Sequence, residues 1–198
     1  MNQLKIEKIE EEIKNLHYNP KTPNHSFSNV ETREFYKIFW DMHIKPVIEY
    51  SKAMAAKYGA DLEVIWLGAI LHDIARLDDK EPHDEIGSQM AYDLLIENNF
   101  SPELAKKVKE VILSHRCKKY LPETLEQKII ASADAMAHFL QPFYLWIGKY
   151  ADQSFPEMLV KNSKKIERDY NEKIFFEDEK KMVESQYQVL KEWFGKMV

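Results

Sequence analysis

Apolar residues recur every three or four positions along most of this chain, the period of a helix buried on one face. In residues 2–16, Ile6, Ile9, Ile13 and Leu16 share a face and acids lie opposite. The stretch from Tyr18 to Asn29, with Pro20, Pro23 and several Asn and Ser, reads as a loop. A long helix is expected over about 30–58, with Phe35, Ile38, Phe39, Met42 and Val47 inward. Pro46 should kink it just beyond His43, and Gly59 should stop it. Asp61 caps the next helix, about 62–75, whose faces are both apolar and which is therefore central. A charged loop from Leu77 to Pro82 leads to a helix over about 83–98.

Ser101-Pro102-Glu103 opens a further helix that ends near His115, and Thr124 with Gln127 makes a capping box for a helix carrying Asp134. Beyond Pro142 the pattern becomes Lys- and Glu-rich and predicts two or three helices. Tyr170, Phe175, Phe176, Tyr187, Leu190, Trp193 and Phe194 are expected to pack them onto the rest. The fold class is all-α, divided into an N-terminal helix and loop (1–29), a helical core (30–142) and a C-terminal helical extension (143–198).

Composition narrows the function. The 198 residues are 44% hydrophobic and 31% charged, globular rather than disordered, and five glycines argue against a turn-rich β protein. A net charge of -5 speaks against binding a nucleic-acid backbone. No stretch is apolar for long enough to span a membrane, and the charged N-terminal segment has no apolar signal core. One cysteine, Cys117, excludes an intrachain disulfide and fits a reducing cytoplasm. A thiol nucleophile made of Cys117 and His115 has poor geometry, the two being two residues apart on one segment.

The chemistry concentrates in His72 and Asp73, side by side in the apolar run Leu67 to Ala75. Ionisable groups in such a run are costly to bury without a partner, and a metal ion is a natural one for imidazole and carboxylate. His43 upstream and Asp134 downstream, both in apolar helical patterns, suit the same purpose. Each has a plainer reading: His43 as packing in an aromatic cluster, Asp134 as a local hydrogen-bonding group. Adjacent helical residues point about 100° apart, so His72 and Asp73 reach one site only near an opening between helices. There Asp73 can give one oxygen to each of two ions.

The order His…His-Asp…Asp resembles the HD superfamily of metal-dependent phosphohydrolases. "DMHIKPVIEYSKAMA" is similar to its first-histidine helix, "GAILHDIAR" to its His-Asp segment and "IIASADAMAH" to its last-ligand segment, together covering about residues 40–140. The resemblance implies His43, His72, Asp73 and Asp134 as ligands to one or two divalent ions among Mn, Fe, Co, Ni, Mg and Zn. Dinuclear members carry histidines where His83 and His115 stand, which implies a second metal or phosphate-binding pair. Arg116 follows His115 where some members have a second histidine, which leaves nuclearity open. The plainer readings are a helix cap for His83 and a cation at a helix C-terminus for His115. Gly87, beside His83, is expected to let its helix approach a neighbour closely.

Arg76, three residues after Asp73, is placed to clamp a substrate phosphate or to pair with Asp78 or Asp79. Arg116, with Lys118 and Lys119, is a second basic group for the mouth of the site. The activity implied is hydrolysis of a phosphate ester or anhydride of a nucleotide or related small metabolite, Asp73 orienting the water. Two other classes stand beside it: a diiron HD-fold oxygenase, and a non-enzymatic signalling module. The helical tail offers a surface to a partner or to a second copy in a homo-oligomer.

Overall fold

The computed structural model describes residues 2–21, 28–150 and 153–196. Pro23, and with it the middle of the expected loop, lies outside the described residues. Every regular element among the described residues is helical: α1 (Gln3–Tyr18), α2 (Asn29–Phe39), α3 (Lys45–Tyr58), α4 (Leu62–Leu71), α5 (His83–Glu97), α6 (Pro102–Ser114), α7 (Leu125–Leu140), α8 (Phe143–Lys149), α9 (Phe155–Arg168) and α10 (Glu177–Gly195). Among them, no helix is long and apolar enough to cross a membrane.

Local chemistry sets the boundaries. Ser28 and Glu31 make a reciprocal capping box for α2, as Thr124 and Gln127 do for α7, each satisfying backbone donors that a helix start leaves free. The Asp61 carboxylate accepts from the N–H groups of Glu63 and Val64, and Ser101 caps α6 ahead of Pro102. Gly59 closes α3 in the left-handed region at φ +75°.

The single helix expected over 30–58 is instead α2 and α3 joined by a π turn at Trp40–Ile44. The backbone stays right-handed through the join (Trp40 φ −60°, ψ −53°; Ile44 φ −61°, ψ −50°), so the helix widens and does not break. Pro46 gives the reason: it has no N–H for the carbonyl one turn back, and its ring crowds that carbonyl. The N–H of Lys45 reaches back to the Trp40 carbonyl, taking up one extra residue just before the ring. His43 sits in the widened turn.

Helix α4 is the centre of the bundle. Val64 to Leu71 are all buried, and the helix packs against α1, α3, α6 and α7. Gly68 permits the closest approach: a Cβ there would come within 3.0 Å of Val111 Cγ1 on α6. The expected tight approach at Gly87 is not one, because a Cβ there would meet Ala75 at an ordinary 3.5 Å. Helix α4 also stops earlier than the expected residue 75. It ends at Leu71, Asp73 leaves helical geometry at φ −112°, ψ 20°, and a 3₁₀ turn follows at Ile74–Asp78. His72 and Asp73 thus occupy a helix end, where neighbouring side chains are freed from the 100° spacing.

The C-terminal helices lie on α7. A second π turn, Asp169–Lys173, links α9 toward α10. Val183, Tyr187 and Phe194 are buried, and Tyr170, Phe176 and Leu190 pack against the core. Tyr170 stacks on Tyr187 with ring centroids 3.9 Å apart. Phe175 and Trp193 depart from expectation, at 41% and 58% exposed. Trp193 falls beside the 183–187–190–194 stripe, not on it, and so faces outward.

Candidate metal centre

Six side chains from five segments meet beneath the end of α4: His43 from the π turn, His72 and Asp73 from the α4 end, His83 from the start of α5, His115 from the end of α6, and Asp134 from the middle of α7. All six are buried. They form two groups, His43–His72–Asp134 and Asp73–His83–His115, each with candidate ligand atoms within 4.8 Å of one another.

Asp73 faces both groups. Its Oδ2 lies 3.5 Å from His43 Nε2 and 3.6 Å from His72 Nε2. Its Oδ1 lies 3.2 Å from His83 Nε2 and 3.8 Å from His115 Nε2. Asp134 turns Oδ1 toward His43 Nε2 at 3.3 Å.

Hydrogen bonds at the far side of the rings set which nitrogen faces inward. His72 Nδ1 lies 2.9 Å from the Ala69 carbonyl, His115 Nδ1 2.6 Å from that of Ile112, and His83 Nδ1 2.9 Å from Glu81 Oε1. A carbonyl can only accept, so Nδ1 donates and Nε2 presents its lone pair. A carbonyl or carboxylate behind the ring is also the usual backing of a metal-bound histidine. His43 lacks that backing: its Nδ1 is buried with no hydrogen-bond partner. Its ring stacks on Phe39 and on His138, each with centroids 5.1 Å away.

Protonation follows from burial. Desolvation pushes His43, His83 and His115 below the usual imidazole range, keeping them neutral. This replaces the plainer reading of His115 as a cation at a helix C-terminus. Burial alone would raise the Asp73 carboxyl, but Arg76 and the surrounding histidines outweigh it and hold the group well below the ordinary carboxylate value. Asp134 is held down in the same way, against burial, chiefly by Lys173. Imidazole nitrogens and carboxylate oxygens converge on one another, with His43 Nε2 and His72 Nε2 only 3.1 Å apart. Such a donor set fits a cation between its members.

Both candidate arginines reach the rim. Arg76, half-exposed, places Nε 3.2 Å from Asp73 Oδ1 and Nη1 3.7 Å from Glu81 Oε1. Arg116 Nη1 contacts Glu81 Oε2 at 3.1 Å and Asp84 Oδ1 at 3.0 Å. Glu81, whose role the sequence did not suggest, therefore ties both arginines and His83 together. Burial opposes its ionisation, yet His83 and Arg76 bring its carboxyl down to about 2. Lys119 turns away to pair with Glu85.

A second set of residues escaped the sequence reading. His138 lies one turn beyond Asp134 on α7, its Nε2 3.4 Å from Asp134 Oδ1. Its Nδ1 sits 2.8 Å from Asp169 Oδ2 and 3.1 Å from Lys165 Nζ. Lys173, 2% exposed, donates to Asp134 Oδ2. One signal was available: Lys165, Asp169 and Lys173 recur every four residues, a polar stripe on one helical face.

The HD domain family matches residues 40–138, half of the chain, and the chain belongs to that family. A crystal structure described as a predicted HD superfamily hydrolase, from an uncultured Thermotogales bacterium, superposes with a TM-score of 0.57 over 96% of this chain and 89% of that one, at 21% identity. That likeness speaks for the fold. A tRNA (cytidine(56)-2'-O)-methyltransferase of Thermoplasma volcanium is 32% identical over 100 residues, which are 46% of this chain and 30% of that protein. This chain thus spans under a third of the methyltransferase's length.

Proposed function

We propose that the protein is a metal-dependent phosphohydrolase, cleaving a phosphate ester or anhydride of a nucleotide or related small phosphorylated metabolite. One observation carries the reading. The two oxygens of Asp73 face two different histidine pairs, the arrangement of a carboxylate shared between two divalent ions. His43, His72 and Asp134 would hold one ion, His83 and His115 the other. Bound divalent ions supply a water acidic enough to act as a nucleophile near neutral pH and polarise the phosphoryl oxygen.

The remaining work falls to the chain's own residues. Asp73, ionised and buried, orients the attacking water. Arg76 and Arg116 converge on one point above the site, where a planar guanidinium pair suits phosphate oxygens. That point holds the Glu81 carboxylate, an anion of the chain itself standing where a substrate anion would bind. Substrate must displace it, and the freed arginines then stabilise charge building on the phosphoryl group.

The test is phosphate release from a panel of nucleotides and sugar phosphates with Mn²⁺, Co²⁺, Ni²⁺ or Mg²⁺ added, with Asp73→Asn as control. Release by the native protein alone supports the reading. No release from protein shown to hold metal rejects it. The same donor set suits a diiron centre, so oxygen uptake by the iron-loaded protein is the next measurement in that event.

A further inference from the structure

The segment that follows the matched family region does more than cover the core. Its π turn lies against α7 so that two pairs meet: Lys173 with Asp134, and Asp169 with His138. Asp134 and His138 are one turn apart on α7; Asp169 and Lys173 are one turn apart on the extension. The two turns run antiparallel, charge against partner. Ser132 fastens them, its Oγ donating to the Lys173 carbonyl at 3.1 Å and accepting from the Phe175 N–H at 3.0 Å. Lys165 completes the set with Nζ 2.6 Å from Asp169 Oδ2.

Burying a lysine this deeply is costly without an opposite charge. Lys173, 2% exposed, is among the largest fully buried side chains, and its ammonium goes to Asp134 Oδ2 while Oδ1 contacts His43. A packing role needs a methylene chain here, not an ammonium aimed at a candidate ligand.

We propose that Lys173 is a positioning residue for the metal centre. By occupying Oδ2 it leaves Oδ1 as the single oxygen of Asp134 open to an ion. The extension is thereby part of the site, and residues 40–138 alone leave Asp134 without its partner. The inference rests on the metal reading given above.

Lys173→Met is the test, compared with native protein for Mn²⁺ affinity by titration and for the visible spectrum of the Co²⁺-loaded form. Without the ammonium, Asp134 can offer both oxygens and nearby positive charge is lost. Removing a like charge beside the ion should let Mn²⁺ bind about tenfold more tightly, and the Co²⁺ bands should weaken as coordination number rises. An unchanged or weaker affinity in a folded variant overturns the proposal. Should the Met variant not fold, Lys173→Gln, which keeps a donor for Oδ2, is read instead: its Co²⁺ bands should match those of the native protein, and weakened bands overturn the proposal. Native protein that takes up no metal would instead reject the underlying function, so the two failures are told apart.

Discussion

His138 lies flat against His43, with ring centroids 5.1 Å apart and planes 1° from parallel. Among the described residues His43 has no hydrogen bond behind its ring, so its plane depends on the stacked contacts with His138 and Phe39. Replacing His138 by Ala should free the ring and weaken Mn²⁺ binding about tenfold, the usual scale for losing a ligand's support. His138→Phe keeps the stacking surface and should recover most of the loss. Equal weakening in both variants, by metal titration, would assign the role of His138 to its nitrogens and not to its face.

Asp73 touches both histidine groups, so its loss should differ in kind from that of His72. Asp73→Asn should abolish phosphate release and lower metal stoichiometry at both positions, measured by elemental analysis. His72→Ala should remove metal from the His43–Asp134 group. Both variants should keep their helical circular dichroism, since each side chain is wanted for its donor atom and not for packing. Full activity in either would refute the site.

On the proposed reading, Glu81 competes with substrate for Arg76 and Arg116. Glu81→Gln keeps an oxygen for one of the two His83 N–H groups, which donate to different oxygens of Glu81, while removing the charge. KM for a phosphorylated substrate should fall several-fold with kcat little changed, because the arginines no longer need to be released. A raised KM would show that Glu81 assists binding.

Stability should depend on His17, buried among Tyr36, Phe39 and Trp40. Burial lowers its pKa from 6.5 to about 4. The unfolded chain therefore binds the extra proton first, and folding stability from this group is full above pH 6.5. It declines as pH falls toward about 4 and is then constant, a contribution on the order of 3 kcal/mol. Chemical denaturation of native protein should show a slope of this sign between pH 6.5 and 4, shared with the other buried histidines, and His17→Leu should make it shallower. An identical slope in the variant would place the titration elsewhere.

Much of this was legible from residues alone. The starts of α4, α6 and α7 followed from Asp61, Ser101 and Thr124, because capping chemistry is local. His43, His72, Asp73 and Asp134 stood out because ionisable groups in apolar patterns are conspicuous, His83 and His115 through the family resemblance, and the fold brings all six together. Departures occurred where the backbone leaves regular geometry. A period of 3.6 cannot announce the π turn before Pro46 or the exit from helix at Asp73. Lys165, Asp169 and Lys173 were hidden for another reason: in a segment full of Lys and Glu, a buried charge looks like its solvated neighbours. Glu81 was missed because its partners Arg76, His83 and Arg116 come from three different elements.

The π turn at Trp40–Ile44 acts as a register mark. Tyr36 and Phe39 before it, Trp40, His43 and Ile44 within it and Val47 after it are all buried. Loss of a single amino acid from the turn would restore an ordinary helix and rotate one side against the other by about 100°. Either the aromatic face of α2 or the imidazole of His43 would then leave the interior. Homologues that bind metal through this histidine should thus tolerate substitutions in the turn far better than a change in its length.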